Sequence, residues 1–307
     1  MKKAFFQLHI AVFLAGFTGI LGRLIHLNEG LLVWYRLLIT SVSMWILFSF
    51  TKRLQKIKGK DIVKLAGIGF VAALHWVTFY GSIKQANVSV ALVCFSAVGF
   101  FTALLEPLIL RVKIKWTEVL LGLLVIAGIS IIFHFDTQYK TGIVLGIISA
   151  LLLAFVMIIL RQFIQRMNSE TMLTYQLSGG LLALTAFMPL YMQQFPTNYI
   201  FPTSGDWGWL LILSWVCSVW AFQLSTKALK KLTAFTVNLT YNLEPVYGIA
   251  LAFIVYKENK FLSKWFFAGF ALIAASLIIH LVLLLKEERK LARKGSFGEK
   301  NADGRIP

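Results

Sequence analysis

Ten apolar runs, each close to the length of a bilayer-spanning helix, follow one another from end to end of this chain. They fall near residues 4–22, 32–50, 62–82, 88–110, 116–134, 142–160, 171–192, 207–226, 234–256 and 265–285. A helix needs about 20 residues to cross the hydrocarbon core. Only helices and closed barrels satisfy their backbone groups inside lipid, and the alternating segments of about ten residues that build a barrel are missing. The pattern predicts an all-α integral membrane protein with ten transmembrane helices. Composition agrees: 58% of the 307 residues are hydrophobic and 14% are charged, whereas a soluble domain carries roughly 25% charged residues.

The two ends and the cysteines fit that frame. Lys2 and Lys3 precede the first run as they would in a signal peptide, yet the run is longer than an h-region and no A-x-A-like site follows. It reads as an uncleaved first span. Residues 286–307 are charged and poor in apolar side chains, which predicts a basic tail, disordered beyond its first turns. Cys94 and Cys217 lie inside spans, where thiols act as small apolar fillers, so neither a disulfide nor a metal site is expected, and no cofactor motif is present.

The formal net charge of +17 would suit nucleic acid, but its distribution points elsewhere. Of 30 basic residues, only Arg23, Lys84, Lys140, Lys257, Lys260 and Lys264 fall on one side of a ten-span threading, and Arg36 lies within a span. All the others gather in the N-terminus, the alternate loops and the tail. This positive-inside bias places both termini in the cytoplasm of a plasma membrane, the inner membrane in a bacterium. The partners it leaves are the lipid bilayer and a small-molecule solute, with no nucleic acid. A ten-helix chain encloses its own path, so a monomer is expected.

The two halves of the chain echo each other. The segment 243–279, "LEPVYGIALAFIVYKENKFLSKWFFAGFALIAASLII", aligns with 98–133, "VGFFTALLEPLILRVKIKWTEVLLGLLVIAGISIIF", with Gly269 over Gly122. "VWYRLLIT" (33–40) aligns with "LTYQLSGG" (173–180), pairing Tyr35 with Tyr175. Each half holds five spans, so the second enters the membrane the opposite way round, a signature of alternating-access transporters. The expected units are a first five-helix repeat (1–135), a second (136–285) and the basic cytoplasmic tail (286–307).

With its ten spans in two halves, the "WYRLLIT" start of the second span and "NLEPVYGIALAFIVYKE" near the end, the chain resembles the EamA-type branch of the drug/metabolite transporter superfamily. The resemblance covers residues 4–285. It implies a secondary transporter, often an exporter of amino acids or related metabolites. The first half departs from strict symmetry: Gly99 stands opposite Pro245, and its own Glu106-Pro107 comes later.

Polar residues inside a bilayer are costly and tend to face the bundle interior. In the ninth span Asn238, Tyr241, Asn242 and Pro245 follow one helical stripe with Glu244 at its edge. Pro245 would free the carbonyl of Tyr241 and bend the helix, making Pro245 and Gly248 the expected hinge. The other reading of these residues is interhelical packing. In the third span His75 and Phe79 share a face flanked by Trp76 and Tyr80, and in the eighth Trp220 and Gln223 lie on one face. Together these ten side chains, from His75 to Glu244, form the expected substrate cavity; the competing reading is an aromatic core with one satisfied histidine. Arg36 either snorkels to the headgroups, guards the outer mouth or neutralises an anionic solute. Glu106, close to Arg111 and Lys113, is an interfacial ion pair or an inner gate.

These features support a secondary transporter with a central aromatic and polar cavity and no covalent chemistry. Two readings stand beside it: a flippase for a lipid-linked headgroup, and an intramembrane lipid-modifying enzyme with His75 and Glu244 as acid and base. The sequence lacks H-E-x-x-H, G-x-S-x-G and phosphate-loop motifs. Reporter fusions at Met1 and after Leu285 should both report the cytoplasmic side. A signal from the opposite side at either site would break the ten-span, inverted-repeat reading.

Overall fold

The computed structural model describes residues 2–302 except Gln165, Lys230 and Thr233; the side chains of Leu229, Ala234, Phe235, Asn238, Leu239, Leu284 and residues 287–302 lie outside the description. The first half contains α1 (Lys2–Leu24), α2 (Glu29–Phe50), α3 (Gly59–Gln85), α4 (Val88–Phe95), α5 (Val98–Leu110) and α6 (Trp116–Phe135). The second contains α7 (Lys140–Ile164), α8 (Ser169–Gln194), α9 (Ser204–Leu211), a π-helical segment (Ile212–Trp220), α10 (Ala221–Leu229), α11 (Ala234–Tyr241), α12 (Glu244–Tyr256) and α13 (Lys264–Ala302). Among the described residues there is no strand. In that same set, 9 helical segments are long and apolar enough to cross a membrane, and Glu244–Tyr256 is a shorter apolar helix.

The two halves are built alike down to their helix ends. Asn28 caps α2 by accepting from the Leu31 N–H at 2.8 Å, and Asn168 caps α8 by accepting from the Thr171 N–H at 2.9 Å. The alignment that pairs Tyr35 with Tyr175 also pairs these two asparagines. A side-chain oxygen at this position satisfies an N–H that the helix itself leaves open. The fourth span of each half is broken, at Ser96–Ala97 between α4 and α5 and at Asn242–Leu243 between α11 and α12. Each then ends on a left-handed lysine or arginine, Arg111 and Lys257, both at φ 54°. The register that sets Gly99 opposite Pro245 relates both the breaks and the left-handed caps.

Packing follows the same exchange. The third span, α3, lies against α7 and α8, while the π segment and α10 of the eighth lie against α1 and α2; α6 packs on its own counterpart α13. Lipid supplies no hydrophobic drive for helices to associate, so close backbone approach and dispersion hold them together. Glycines make that approach possible. A Cβ on Gly69 would sit 1.9 Å from the Gln176 carbonyl oxygen, and one on Gly180 would sit 2.6 Å from that of Gly69. Gly128 and Gly269 face each other's carbonyls at 2.5 and 2.4 Å in the α6–α13 contact.

Two expectations are corrected here. Pro245 does not kink a continuous ninth helix by freeing a mid-helix carbonyl. The chain first tightens, with the Leu243 N–H donating to the Thr240 carbonyl at 3.0 Å, and Pro245 then falls in the first turn of α12. A missing N–H costs little there, because first-turn donors have no intrahelical partner. The second correction concerns the tail: α13 continues the tenth span to Ala302. The run "KEERKLARK" consists of good helix formers, and elongating an existing helix avoids the cost of nucleation.

The glycine contacts give a paired expectation. Gly69→Ala should destabilise the folded protein by about 1–3 kcal/mol through overpacking. Gly99→Ala, where a Cβ meets nothing within 4 Å, should be neutral or slightly stabilising. Thermal melts in detergent compare the two; equal stability would contradict the close α3–α8 approach.

Candidate functional site

Helices α1, α2, α3, α8, α10 and α11, together with the π segment, surround a central cavity of about 230 Å³. Its α2 wall carries Arg36, Leu37, Thr40 and Met44, spaced so that one helical face is presented inward. Opposite stand Cys217, Ser218, Phe222 and Ser225, with Trp76 from α3, Leu173 and Leu177 from α8, Tyr241 from α11 and two small residues, Ala11 and Ala15, from α1. The lining is mostly apolar with a few convergent polar groups, the usual character of a small-molecule site.

Arg36 dominates the polar part. It is only 6% exposed and does not reach outward to headgroups. Its Nη1 donates to Tyr80 Oη at 2.8 Å, and its Nε and Nη2 donate to Ser218 Oγ at 3.3 and 3.1 Å. Its guanidinium carbon lies 4.3 Å from the centroid of the Trp76 ring. Among the described residues no carboxylate comes within ion-pair distance of it. The π segment prepares Ser218 for this contact. The Ser218 hydroxyl donates to the Leu213 carbonyl at 3.0 Å, which leaves its oxygen lone pairs to accept from Arg36. One turn along α2 from Arg36, Thr40 is 2% exposed and its hydroxyl has no partner among the described residues. On the far wall, Tyr241 Oη and Ser225 Oγ lie 2.6 Å apart.

The other expected cavity residues scatter. Trp76 and Tyr241 line the cavity, and Tyr80, fully buried behind the wall, holds Arg36. His75 does not face it. Its Nδ1 lies 2.8 Å from Ser149 Oγ and 2.9 Å from the Ser149 carbonyl, so it joins α3 to α7 as a satisfied buried histidine. Phe79 packs beside it against Phe95. Trp220 is 48% exposed on the outer surface, and Gln223 is absent from the lining. A π turn holds more residues than an α turn, so it rotates the following face, and Ser218, Phe222 and Ser225 line the cavity instead.

Around the ninth span, Asn242 occupies the break, and the side chain of Asn238 lies outside the described residues. Glu244 opens α12, within electrostatic reach of Arg36, Tyr80 and Tyr241, but it is not part of the lining. Pro245 is buried in the first turn of α12. Gly248 is a packing joint: a Cβ there would sit 2.4 Å from Leu92 Cδ1 and 3.0 Å from the Gly16 carbonyl oxygen. Glu106 forms an exposed ion pair, but with Arg161 at 2.6 Å rather than with Arg111 or Lys113. Thr40, Met44, Ser218, Phe222 and Ser225 were missed by sequence reasoning. Their signal was present as the Arg36–Thr40 spacing and as hydroxyls at 214, 218 and 225 on one helical face.

One end of the bundle is closed by buried carboxylates. Glu258, 3% exposed, accepts from the Val88 and Ser89 N–H groups at 3.1 and 2.8 Å and from Ser89 Oγ at 2.5 Å, and pairs with Arg23. Asp206, 1% exposed, accepts from the His26 N–H at 2.9 Å and from the Tyr199 hydroxyl. These contacts tie together the ends of α1, α4, α9 and α12. The cavity extends the other way, along α2 from Arg36 to Met44 and to Leu173 in the first turns of α8.

Two like-built halves in opposite orientation, packed around a central cavity, define a polytopic membrane protein of the inverted-repeat class. The chain belongs to the EamA-like transporter family, whose model matches residues 2–134 and again 140–280, as the resemblance to the drug/metabolite transporter superfamily implied. An uncharacterized transporter of Helicobacter pylori (strain J99) is 24% identical over 263 residues, covering 84% of this chain and 87% of the relative. One from Haemophilus influenzae is 25% identical over 173 residues, covering 53% of this chain and 56% of the relative. A protein of known crystal structure shares the fold with a TM-score of 0.61 at 15% identity, covering 92% of this chain and 98% of its own.

Thiol labelling tests the lining. With Cys94 and Cys217 replaced, Thr40→Cys and Ser225→Cys should react with a small polar thiol reagent in the folded protein, while His75→Cys should stay inert. Reaction at His75→Cys with none at Thr40→Cys would invert the assignment of the cavity.

Proposed function

We propose that this protein is a secondary transporter that exports small amphipathic metabolites bearing a carboxylate, such as amino acids or related solutes, by alternating access. One observation carries the reading: a buried arginine in the cavity wall, held in place by neutral hydroxyls and an indole face, with no ion-pair partner among the described residues. Burying a cation without a direct ion-pair partner is costly, and a solute carboxylate would relieve that cost. The unpaired Thr40 hydroxyl offers a further hydrogen bond, and Met44, Phe222 and Leu177 suit an apolar side chain. Glu244, within reach of Arg36, would screen the guanidinium while the cavity is empty.

The competing readings have less support. The cavity, at about 230 Å³, is small for a lipid-linked headgroup. His75 is engaged by Ser149 and lies away from the cavity, which speaks against an acid–base pair with Glu244. With both termini in the cytoplasm of a bacterial inner membrane, the Glu258 and Asp206 contacts close the outer face. The cavity then extends toward the cytoplasm, the loading side of an exporter. The working unit in this reading is one chain, with Arg36, Trp76, Tyr80 and Tyr241 as its solute-facing or solute-positioning groups.

The test is efflux of a panel of radiolabelled amino acids from proteoliposomes. Arg36→Gln should lower the flux of the transported solute by roughly 10- to 100-fold, the worth of one charge-assisted hydrogen bond. Arg36→Lys should fall between, because an ammonium lacks the planar fork. Unchanged flux in a well-expressed Arg36→Gln protein would remove the arginine, and the carboxylate with it, from the mechanism.

A further inference from the structure

A second concavity, about 430 Å³, lies on the flank of the bundle between α3 and α7. Its walls are the facing surfaces of the two helices, each ending in a cation, with most of the apolar lining on α7. On α7 the lining runs through Phe155, Ile159 and Phe163 to Arg166, just past the helix end; on α3 it runs from Ile68 and Gly67 to Lys64. Gln162 adds an amide at the charged end. Gly67 keeps the groove open, since a Cβ there would meet nothing within 4 Å. Lys64 stands five residues inside α3, about 7.5 Å along the axis, at the depth where hydrocarbon gives way to headgroups.

The charges at this end are uncompensated. At the same face of the bundle Arg53 pairs with Glu170 and Arg161 with Glu106. Among the described residues neither Lys64 nor Arg166 has a carboxylate within ion-pair distance, although Asp61 lies one turn before Lys64. Two unpaired cations at headgroup depth above an apolar trough complement one chemistry, a phosphate joined to a hydrocarbon tail. We infer that the α3–α7 groove binds one anionic diacyl phospholipid, with its phosphate between Lys64 and Arg166 and an acyl chain along Ile68, Phe155 and Ile159. A zwitterionic lipid fits less well, because its ammonium group would crowd the two cations. The site is independent of what the central cavity carries. It lies between α3 of the first half and α7 of the second, so a bound lipid would brace the joint between the two halves.

The experiment is native mass spectrometry of the full chain, titrated with phosphatidylglycerol and with phosphatidylethanolamine of the same acyl chains. The first phosphatidylglycerol should bind more tightly than phosphatidylethanolamine. The double variant Lys64→Gln/Arg166→Gln should weaken that first binding by roughly 30-fold, since a basic residue near a membrane surface contributes about 1 kcal/mol toward an anionic lipid. Phosphatidylethanolamine binding should not change. Gly67→Phe, which fills the groove and keeps both cations, should also weaken phosphatidylglycerol binding. Lys58→Gln/Lys60→Gln, on the same face but outside the groove, should not. Equal binding of the two lipids by the native chain, or equal loss in both double variants, would mean only general surface attraction and would overturn the site. Unchanged binding in Lys64→Gln/Arg166→Gln would overturn it as well.

Discussion

Inside a bilayer the backbone must satisfy itself, and neighbouring helices gain nothing from excluding water. Association must then come from close contact. In this protein glycines on facing helices supply it, from Gly16 and Gly248 between α1 and α12 to Gly69 and Gly180 between α3 and α8, and Gly128 and Gly269 between α6 and α13. In each of these pairs a carbonyl of one helix occupies the space where a Cβ on the other would stand. The pairs hold the bundle together around its centre. They also fix which helix faces are left to line the cavity.

The cavity wall depends on one departure from α-helical geometry. The eighth span passes through a π-helical stretch at Ile212–Trp220, and there Ser218 turns its hydroxyl hydrogen onto the Leu213 carbonyl. That arrangement lets a neutral oxygen accept two bonds from Arg36 while Tyr80 and Trp76 hold the rest of the guanidinium. A carboxylate in place of Ser218 would instead form an ion pair with the arginine. The same stretch sends Trp220 to the surface, a position better suited to a large apolar ring facing lipid than to a binding wall.

Symmetry and its breaking are both visible at the fourth span of each half. The breaks and left-handed caps coincide under the repeat alignment, yet only the second break carries Glu244 and Pro245. The closures differ as well. Glu258 and Asp206 are buried acids with several donors each, while the opposite face is held by more exposed pairs such as Arg53 with Glu170 and Arg161 with Glu106. Exposed pairs contribute little and open at small cost. The bundle is therefore fastened more firmly at the face away from the cavity.

The all-α class, the ten apolar runs, the paired halves and the family resemblance were legible in the sequence, because each rests on length, periodicity and hydropathy. Those properties act locally along the chain. Arg36 was legible as an oddity within a span, and so were the aromatic residues Trp76 and Tyr80. Their partners were not, because Arg36 meets Ser218 only through the packing of α2 against the π segment. Tertiary structure likewise decided that His75 is spent on Ser149 and that Gly248 is a packing joint. It set Glu106 against Arg161 and made Pro245 the start of a helix instead of a bend within one. A polar residue in a span announces that it needs a partner; which partner it finds is set by the rotation and close approach of helices far apart in sequence.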